Sequence, residues 1–214
     1  MWRHGQTPYN AAGRIQGGSD VALDEVGLAQ AALAAQQLVE LQPSLIVSSD
    51  LSRAHATAAA LAALVGQDVV TDARLRERNF GQWEGLSIDE LEARWPAEFT
   101  LWRQGADIVE VGMETRASTA ARVGAAMRAA ADAAADDSVV VVATHGGASV
   151  CGVTDLLGLA AGEWQGLRVM RNAHWAILQR VATPVRPPDW RLVGYDLGNL
   201  DGVPGGTPWA SITE

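Results

Sequence analysis

Lysine is absent from this chain of 214 residues, in which arginine supplies all 16 basic side chains. Schiff-base catalysis, pyridoxal phosphate attachment and the phosphate-binding P-loop each require a lysine. The sequence therefore excludes all three chemistries.

Cysteine is nearly absent as well, since Cys151 is the only one. One thiol cannot form an intrachain disulfide, a Cys-x-x-Cys redox pair or a thiolate metal site. The apolar neighbours of Cys151 predict a buried, reduced thiol, and reduced thiols are typical of the cytoplasm. We therefore expect a cytoplasmic protein.

Long apolar runs are missing too: none approaches the ~18 residues of a membrane span, and no signal-peptide pattern opens the chain. The formal charge is -9 with a sequence pI near 4.9, which argues against a surface that binds nucleic acid. We expect neither a membrane nor a nucleic acid as a partner. An anionic ligand would need arginines gathered locally against the overall charge.

Apolar periodicity predicts an α/β fold in which helices alternate with a mostly parallel sheet. Predicted helices cover 25–41, 52–65, 115–134 and 148–157. A further helix is predicted to begin at the capping box Ser87/Glu90 and to be interrupted by Pro96. Predicted strands cover 44–49, 69–70, 139–142, 174–181 and 190–195. On the first helix, which Asp24 is predicted to cap, four apolar residues at helical spacing are expected to face the core: Leu28, Ala32, Ala35 and Val39.

One compact domain over residues 1–198 accommodates these elements. The irregular stretch 82–114 is predicted to be an insertion that forms a flap or cap. Residues 199–214 are rich in glycine and proline and lack periodicity, and we expect a mobile tail there.

Polar side chains follow the predicted strands, at the edge where parallel sheets place their ligands. Arginine matches the oxygens of a phosphate, neutral imidazole can accept a phosphoryl group, and a carboxyl group can protonate a leaving oxygen. A glycine after a strand opens a backbone N–H to an anion. The candidates of these types are Arg3, His4, Arg53, Glu77, His145 and Gly146. Their combination points to phosphate ester chemistry.

The ordered set of motifs resembles the histidine phosphatase superfamily, also called the phosphoglycerate mutase-like family. A lone Arg-His-Gly is weak evidence, but the set is specific and spans roughly residues 1–198. In chain order the motifs are Arg3-His4-Gly5, Asn10 with Gly13-Arg14-Ile15-Gln16-Gly17, Ser48-Ser49-Asp50-Leu51-Ser52-Arg53-Ala54, Leu75-x-Glu77, Phe80-Gly81-x-Trp83-Glu84-Gly85, and Thr144-His145-Gly146-Gly147. The resemblance implies a three-layer α/β fold with a mostly parallel central sheet and helices on both faces.

The resemblance also implies a role for each site residue. His4 would take the phosphoryl group as phosphohistidine, and Glu77 would protonate the leaving oxygen and then activate water. The phosphate oxygens would be surrounded by Arg3, Arg53 and His145, and further substrate contacts would come from Asn10, Gln16 and the N–H of Gly146. The implied chemistry needs no metal or other cofactor. The implied partners are a phosphorylated small molecule and a second copy in a homodimer.

Within the superfamily, Gln6, Arg14-Ile15-Gln16-Gly17 and Arg122 are most similar to the actinobacterial glucosyl-3-phosphoglycerate phosphatases. This similarity implies a metal-independent phosphomonoesterase acting on a phosphorylated small acid, glucosyl-3-phosphoglycerate. A cofactor-dependent phosphoglycerate mutase is the first alternative, because it shares His4, Arg53, Glu77 and His145. The short chain without lysine favours hydrolysis. A catalytically silent module that binds a phosphorylated ligand is the second alternative.

One departure from the family concerns the strand before His4. Only Met1 and Trp2 precede Arg3, where the family has a full central strand. We expect the natural chain to start further upstream. If it does not, the strand is a stub and His4 is expected to lie near a frayed terminus.

Other residue types in the sequence have simpler interpretations. His55 and His174 are predicted to be structural. Most tryptophans pack in cores, and Trp83, Trp95 and Trp102 are the candidates for contacts with a sugar above the site.

Overall fold

The computed structural model describes residues 1–181 and 186–198, and the predicted tail at 199–214 lies outside this part of the chain. The strands described there are β1 (Trp2–Arg3), β2 (Leu45–Ser48), β3 (Val69–Thr71), β4 (Val140–Thr144), β5 (Trp175–Arg180) and β6 (Trp190–Leu197). They form one sheet in the order β3-β2-β4-β1-β5-β6. The pairs β1–β4, β2–β4 and β2–β3 are parallel. β5 pairs antiparallel with both β1 and β6. The predicted α/β fold with a mostly parallel sheet is confirmed.

The helices follow the predicted alternation with the strands. They are α1 (Pro8–Ala11), α2 (Glu25–Leu38), α3 (Ser52–Val65), α4 (Ile88–Arg94), α5 (Pro96–Arg103), α6 (Arg116–Asp132) and α7 (Gly146–Leu156). Short 3-10 turns cover Val39–Leu41, Ala73–Leu75, Gly81–Trp83 and Val109–Val111. Across residues 1–181 and 186–198, no helix is long and apolar enough to cross a membrane.

Helices cover both faces of the sheet, as the resemblance implied. Alternate residues of a strand point to opposite faces. Ile46 of β2 and Val141 of β4 lie in the apolar cluster formed with α2 and α3, whereas Val47 and Val142 lie in the cluster formed with α6 and α7. The result is three layers, with the ligand edge of the sheet at the carboxyl ends of β1, β2 and β4.

Local signals place several helix ends correctly. Ser87 and Glu90 form the predicted capping box of α4, and Pro96 begins α5 at a first-turn position where its missing N–H costs no hydrogen bond. The left-handed Gly66 ends α3 at Val65, where the predicted helix 52–65 also ends.

The predicted core face of α2 is wrong for Leu28 and Ala32, both of which are exposed. The face that α2 buries consists of Gly27, Gln30, Ala31, Ala34, Ala35 and Leu38. A close backbone contact selects this face, because a Cβ on Gly27 would come within 2.0 Å of the Gln6 carbonyl oxygen. The first turn of α2 therefore packs directly against the segment that follows His4.

The predicted start of α7 at residue 148 is late by two residues. β4 extends to Thr144, and α7 begins at Gly146 with His145 as its N-cap. Glycines are poor helix formers, but the first turn of a helix makes no use of its N–H groups within the helix. Two glycines can therefore open α7 and leave their N–H groups for the site.

β1 has only two residues, but the expectation of a frayed end around His4 is wrong. Trp2 and Arg3 pair in parallel with β4, and Met1 exchanges both backbone hydrogen bonds with Ala176. The His4 N–H donates to the Thr144 carbonyl over 3.0 Å. His4 thus continues a strand that has partners on both sides.

The stretch 82–114 has an apolar cluster of its own, beside the two clusters that flank the sheet. Its buried members are Ile15, Trp83, Leu91, Phe99, Ile108, Val111 and Met113. All except Ile15 belong to the predicted insertion. Its function as a flap or cap stays a prediction.

Candidate active site

Three of the predicted site residues meet at the carboxyl edge of the sheet. His4 follows β1, Arg53 lies in the first turn of α3 after β2, and His145 joins β4 to α7. The imidazole rings of His4 and His145 lie edge to face, with centroids 5.2 Å apart. All these side chains are buried, so the convergence predicted from the strand ends is present in the fold.

The hydrogen bond of His4 determines which of its ring nitrogens is a nucleophile. Nδ1 lies 2.6 Å from the carbonyl oxygen of Gly5. A carbonyl oxygen can only accept, so Nδ1 carries the proton and Nε2 carries the lone pair. Burial, followed by the charges of Arg53 and Arg3, holds the pKa of His4 well below its ordinary value. His4 therefore presents a neutral, unprotonated Nε2.

Arg53 is fixed by backbone carbonyls rather than by a carboxylate. Its terminal nitrogens donate to the carbonyl oxygens of Ser19 at 2.7 Å and Gly17 at 2.9 Å. Its Nε donates to Nδ1 of His145 at 3.1 Å. Burial lowers the pKa of Arg53 from its ordinary value, because a charged guanidinium is costly to bury.

His145 has a protein partner on each ring nitrogen. Because Nδ1 accepts from Arg53, the ring proton is on Nε2, which lies 2.9 Å from Ser49 Oγ. Burial and then Arg53, with smaller contributions from His4, Arg3 and Arg122, lower its pKa well below the ordinary value. A phosphate contact from His145 would require that one of these two bonds exchange for a phosphate oxygen.

Arg3 is buried with a donor unused. One terminal nitrogen donates to the Met170 carbonyl, but its buried Nε has no partner in the described part of the chain. Burial is the first cause of a pKa lowered to about 10, and the like charge of Arg53 adds to it. Across residues 1–181 and 186–198, neither arginine forms an ion pair with a carboxylate. Two buried cations and an unused donor are a site for an anion.

Glu77 is held at the first turn of α7. Gly147 N–H donates to Oε2 at 2.9 Å, and Ala148 N–H donates to Oε1 at 2.7 Å. The Arg78 N–H adds a third bond to Oε1 at 2.8 Å. These donors and the positive end of the helix dipole fix the carboxyl group. The predicted backbone donor Gly146 bonds to neither oxygen of Glu77.

Asn10 belongs to the same hydrogen-bond network as His4. Its Oδ1 accepts from both the N–H and the hydroxyl of Thr7, and from Nδ2 of Asn172. The same Asn172 nitrogen donates to the carbonyls of His4 and Gly5. With Oδ1 engaged, the amide nitrogen is the group of Asn10 that could serve a phosphate.

Gln16 is buried at the start of the loop that holds Arg53. Its Oε1 has no hydrogen-bond partner in the described part of the chain. The structure gives Gln16 no direct bond to His4, Arg53 or His145, so its predicted substrate contact stays a prediction.

Glu84 stabilises the loop around Arg53, a role that the sequence did not reveal. Its Oε1 accepts from the N–H groups of Gly18 at 2.8 Å and Phe80 at 3.0 Å, and its Oε2 accepts from the Ser19 hydroxyl at 3.1 Å. Gly17 has φ +52°, and a Cβ there would lie 2.1 Å from Glu84 Oε1. The motif Phe80-Gly81-x-Trp83-Glu84-Gly85 contains Glu84, but the sequence pattern does not indicate what this residue does.

Arg122 stabilises the segment that carries Glu77. Its terminal nitrogens donate to the carbonyls of Arg74 at 2.8 Å, Arg76 at 2.7 Å and Glu77 at 3.0 Å. Two further bonds, at 2.8 and 2.7 Å, join it to Glu114. Ser49 and Asn172 were also missed, and Asn172 lies in an irregular connection without any pattern that could have indicated it.

The predicted structural histidines lie outside this arrangement. His55 is exposed on α3, and His174 is buried beside Asn172. Of the three tryptophan candidates, Trp83 is fully buried against Trp95 and Trp102 and is not open to a ligand. The thiol of Cys151 is buried as predicted, and burial raises its pKa to about 11.

Known proteins with similar sequences carry phosphatase and mutase names. A model of the histidine phosphatase superfamily (branch 1) matches residues 1–186. The chain is 42% identical over 184 residues to a glucosyl-3-phosphoglycerate phosphatase of Mycolicibacterium vanbaalenii, covering 83% of this chain and 82% of that protein. It is 37% identical over 206 residues to a probable phosphoglycerate mutase GpmB of Yersinia pestis, covering 93% of both.

A solved structure is similar over nearly the whole fold. It is a mycobacterial glucosyl-3-phosphoglycerate phosphatase in complex with VO3, with a TM-score of 0.84 and 37% sequence identity. The match covers 92% of this chain and 98% of that one.

Proposed function

The chain belongs to the histidine phosphatase superfamily and is an enzyme of that type, and from this premise we propose that it hydrolyses glucosyl-3-phosphoglycerate through a phosphohistidine intermediate on His4. One observation carries the proposal: Arg3 and Arg53 are buried without a carboxylate partner in the described part of the chain, next to two neutral imidazoles. A phosphate group supplies the missing negative charge.

The first step transfers the phosphoryl group to the protein. Nε2 of His4 attacks phosphorus, an N–P bond forms, and the bond from phosphorus to the ester oxygen breaks. Glu77, entering as the carboxylic acid, gives its proton to the departing alkoxide, which leaves as glucosylglycerate. Arg3 and Arg53 neutralise the charge on the phosphoryl oxygens.

The second step returns His4 to its starting form. The carboxylate of Glu77 takes a proton from water, the water oxygen attacks phosphorus, and the N–P bond breaks. Inorganic phosphate leaves, and Nε2 of His4 regains its lone pair. Across residues 1–181 and 186–198, His, Cys, Asp and Glu side chains form no group of three that could hold a metal ion. In this mechanism Arg3 and Arg53, the buried cations of the site, neutralise the charge on the phosphoryl oxygens.

Hydrolysis is favoured over phosphoryl transfer between carbons. The phosphatase of Mycolicibacterium vanbaalenii is 42% identical to this chain, and the mycobacterial phosphatase of known structure is 37% identical. Both matches cover most of the chain. The mutase-named relative is 37% identical. A mutase would move the phosphate between carbons 3 and 2 without releasing it, so phosphate release separates the two functions.

We also propose that the enzyme works in the cytoplasm, in keeping with its buried free thiol Cys151. A homodimer, and the absence of nucleic-acid and membrane partners, stay predictions.

The experiment measures phosphate release from glucosyl-3-phosphoglycerate and from 3-phosphoglycerate in EDTA. We expect rapid release from the glucosylated ester, slow release from 3-phosphoglycerate, and acid-labile phosphate on the wild type after rapid quenching. His4→Ala should abolish both signals, whereas the matched variant His55→Ala should retain both. Interconversion of 2- and 3-phosphoglycerate without release would contradict the proposal, and so would acid-labile phosphate on His4→Ala.

A further inference from the structure

A cavity of about 230 Å³ lies beside Glu77, and Arg3, Arg53 and His145 are not among the residues that line it. Arg78 and Gly147 contribute to its wall, and the N–H groups of both donate to the Glu77 carboxyl. Val169 also lines it, and lies 2.7 Å from the position that a Cβ on Gly146 would occupy. The cavity therefore borders the edge of the site that carries the proton donor.

The position of the cavity identifies which part of a substrate it faces. A general acid must lie within hydrogen-bond reach of the leaving oxygen. Because Glu77 has this role in the proposed function, the part of the ester bonded to that oxygen lies on the Glu77 side of the phosphate. The cavity is on this side, so it faces the leaving alcohol.

The cavity wall combines flat apolar rings with planar polar donors. Trp102 is one ring, held edge to face against Trp83 at 5.7 Å and stacked on Phe99 at 5.8 Å. Trp164 is another, which is 37% exposed and makes no ring–ring contact within residues 1–181 and 186–198. The C–H face of a pyranose ring is apolar and its rim is polar, so it suits indole rings flanked by donors.

The donors are Arg78, Arg116 and Gln165. Asp107 orients the two arginines through ion pairs of 2.6 Å each. In the described part of the chain, the side-chain hydrogen bonds of Arg78 use Nε and Nη2, and those of Arg116 use Nη1. Nη1 of Arg78 and Nη2 of Arg116 can therefore serve ligand hydroxyls.

Opposite α7, two segments outside the sheet contribute Trp102, Trp164 and Gln165 to this wall. Gln165 lies against Gly105, where φ is +97° and a Cβ would come within 1.7 Å of the Gln165 amide nitrogen. One segment belongs to the predicted insertion 82–114, and the other connects α7 to β5. Neither belongs to the sheet edge that binds phosphate, so the two parts of the site can be changed separately.

We propose that this cavity is the binding site for the hexosyl group of the leaving alcohol, with the sugar ring packed on Trp164 and Trp102 and its hydroxyls bonded by Gln165. The inference rests on the proposed function, because it takes Glu77 as the acid. It assigns selection for a glucosylated ester over a plain phosphoglycerate to residues that do not touch the phosphate. The volume, slightly below the roughly 300–1,000 Å³ of sites for drug-sized ligands, suits one sugar ring.

The kinetic test compares kcat/KM for glucosyl-3-phosphoglycerate, 3-phosphoglycerate and p-nitrophenyl phosphate. Trp164→Ala should lower kcat/KM for the glucosylated ester by about tenfold to a hundredfold, and that of the other two by no more than about twofold. Gln165→Ala should act in the same direction with a smaller loss. Leu159→Ala is the matched control, because Leu159 is also 37% exposed in the same connection and does not line the cavity. All three values should be unchanged in it.

A binding measurement tests the cavity without turnover. Isothermal titration with glucosylglycerate, which lacks phosphate, should give a Kd that Trp164→Ala raises about tenfold or more and Leu159→Ala does not change. If the wild type releases no phosphate from any ester but binds glucosylglycerate through Trp164, the proposed function fails and the cavity assignment stands. If it hydrolyses the glucosylated ester and Trp164→Ala and Gln165→Ala change neither kinetics nor binding, the cavity assignment is overturned. An equal loss on all three esters in Trp164→Ala would overturn it as well.

Discussion

Arg53 donates a hydrogen bond from Nε to Nδ1 of His145 over 3.1 Å. Only a neutral imidazole can accept this bond, so protonation of His145 would break it and leave two buried cations in contact. The bond therefore keeps His145 neutral and fixes its proton on Nε2. It also orients the guanidinium, whose other nitrogens are held by the carbonyls of Gly17 and Ser19.

The low pKa values of His4 and His145 predict that acid destabilises the fold. Each pKa is lowered, first by burial and then by Arg53. The pKa of a histidine in the unfolded chain is about 6.5. Below this pH the unfolded chain binds protons that the folded chain does not bind, so the free energy of unfolding decreases as pH falls. Each histidine contributes a slope of up to ~1.4 kcal/mol per pH unit in this window.

Urea unfolding at pH 6.5 and 5.5 measures this slope. His4→Gln should reduce the loss of stability between the two pH values by up to ~1 kcal/mol relative to wild type. His55→Gln is the control, since His55 is exposed. An equal slope in wild type and His4→Gln would show that His4 titrates normally in the folded protein.

Glu77→Gln should slow phosphoenzyme formation according to the leaving group. A sugar-acid alkoxide needs a proton as it departs, whereas p-nitrophenolate does not. We expect a loss of about 10²- to 10⁴-fold for glucosyl-3-phosphoglycerate and at most about tenfold for p-nitrophenyl phosphate. Rapid-quench measurement of the phosphoenzyme separates this step from hydrolysis. The same factor for both esters would refute the assignment of Glu77 as the acid.

The sequence predicted the parts of this site that follow from strand ends. His4, Arg53 and His145 each come just after a strand of a parallel sheet, so their convergence follows from topology alone. An unbroken run of valines is typical of a strand buried on both faces, and β4 lies between β2 and β1 in the sheet.

Long-range contacts account for what the sequence did not predict. In an alanine-rich helix such as α2 many faces are equally apolar, and the contact between Gly27 and Gln6 selects the buried one. Trp164 and Asn172 lie in an irregular connection, where no periodicity indicates their neighbours. Local propensity cannot identify such residues, because their role comes from the partners that the fold places beside them.

Glu84 is a positioning residue whose removal should weaken substrate binding. It holds Gly18 and Ser19 in the loop whose carbonyls hold Arg53. Glu84→Ala should raise KM about tenfold, with a smaller change in kcat, because the guanidinium loses its fixed orientation. Steady-state kinetics with glucosyl-3-phosphoglycerate measures both constants.

Two variants control for a general effect on the fold. Glu92→Ala removes an exposed carboxylate from the neighbouring α4 and should leave KM unchanged. Glu84→Gln keeps one acceptor oxygen and should recover part of the loss. A fall in kcat alone in Glu84→Ala would contradict a role in holding Arg53.

Arg122 and Glu114 form a pair behind the segment that carries Glu77. Burial alone would raise the pKa of Glu114, but the hydrogen bonds and charge of Arg122 lower it to about 2. This pair therefore contributes stability that is complete above the ordinary value of 4.5 and is lost as pH falls toward 2.

Arg122→Ala should affect acid catalysis more than the rest of the site. The substitution removes three bonds to the carbonyls of Arg74, Arg76 and Glu77, so the Glu77 carboxyl loses its fixed distance to the leaving oxygen. We expect kcat for glucosyl-3-phosphoglycerate to fall about tenfold or more, with a smaller fall for p-nitrophenyl phosphate. Arg128→Ala is the matched control, because Arg128 lies on the same helix and pairs with Asp155 away from Glu77. Arg128→Ala should leave kcat unchanged for both esters. If Arg122→Ala reduces turnover of both esters equally, the pair supports the fold as a whole and does not position the acid.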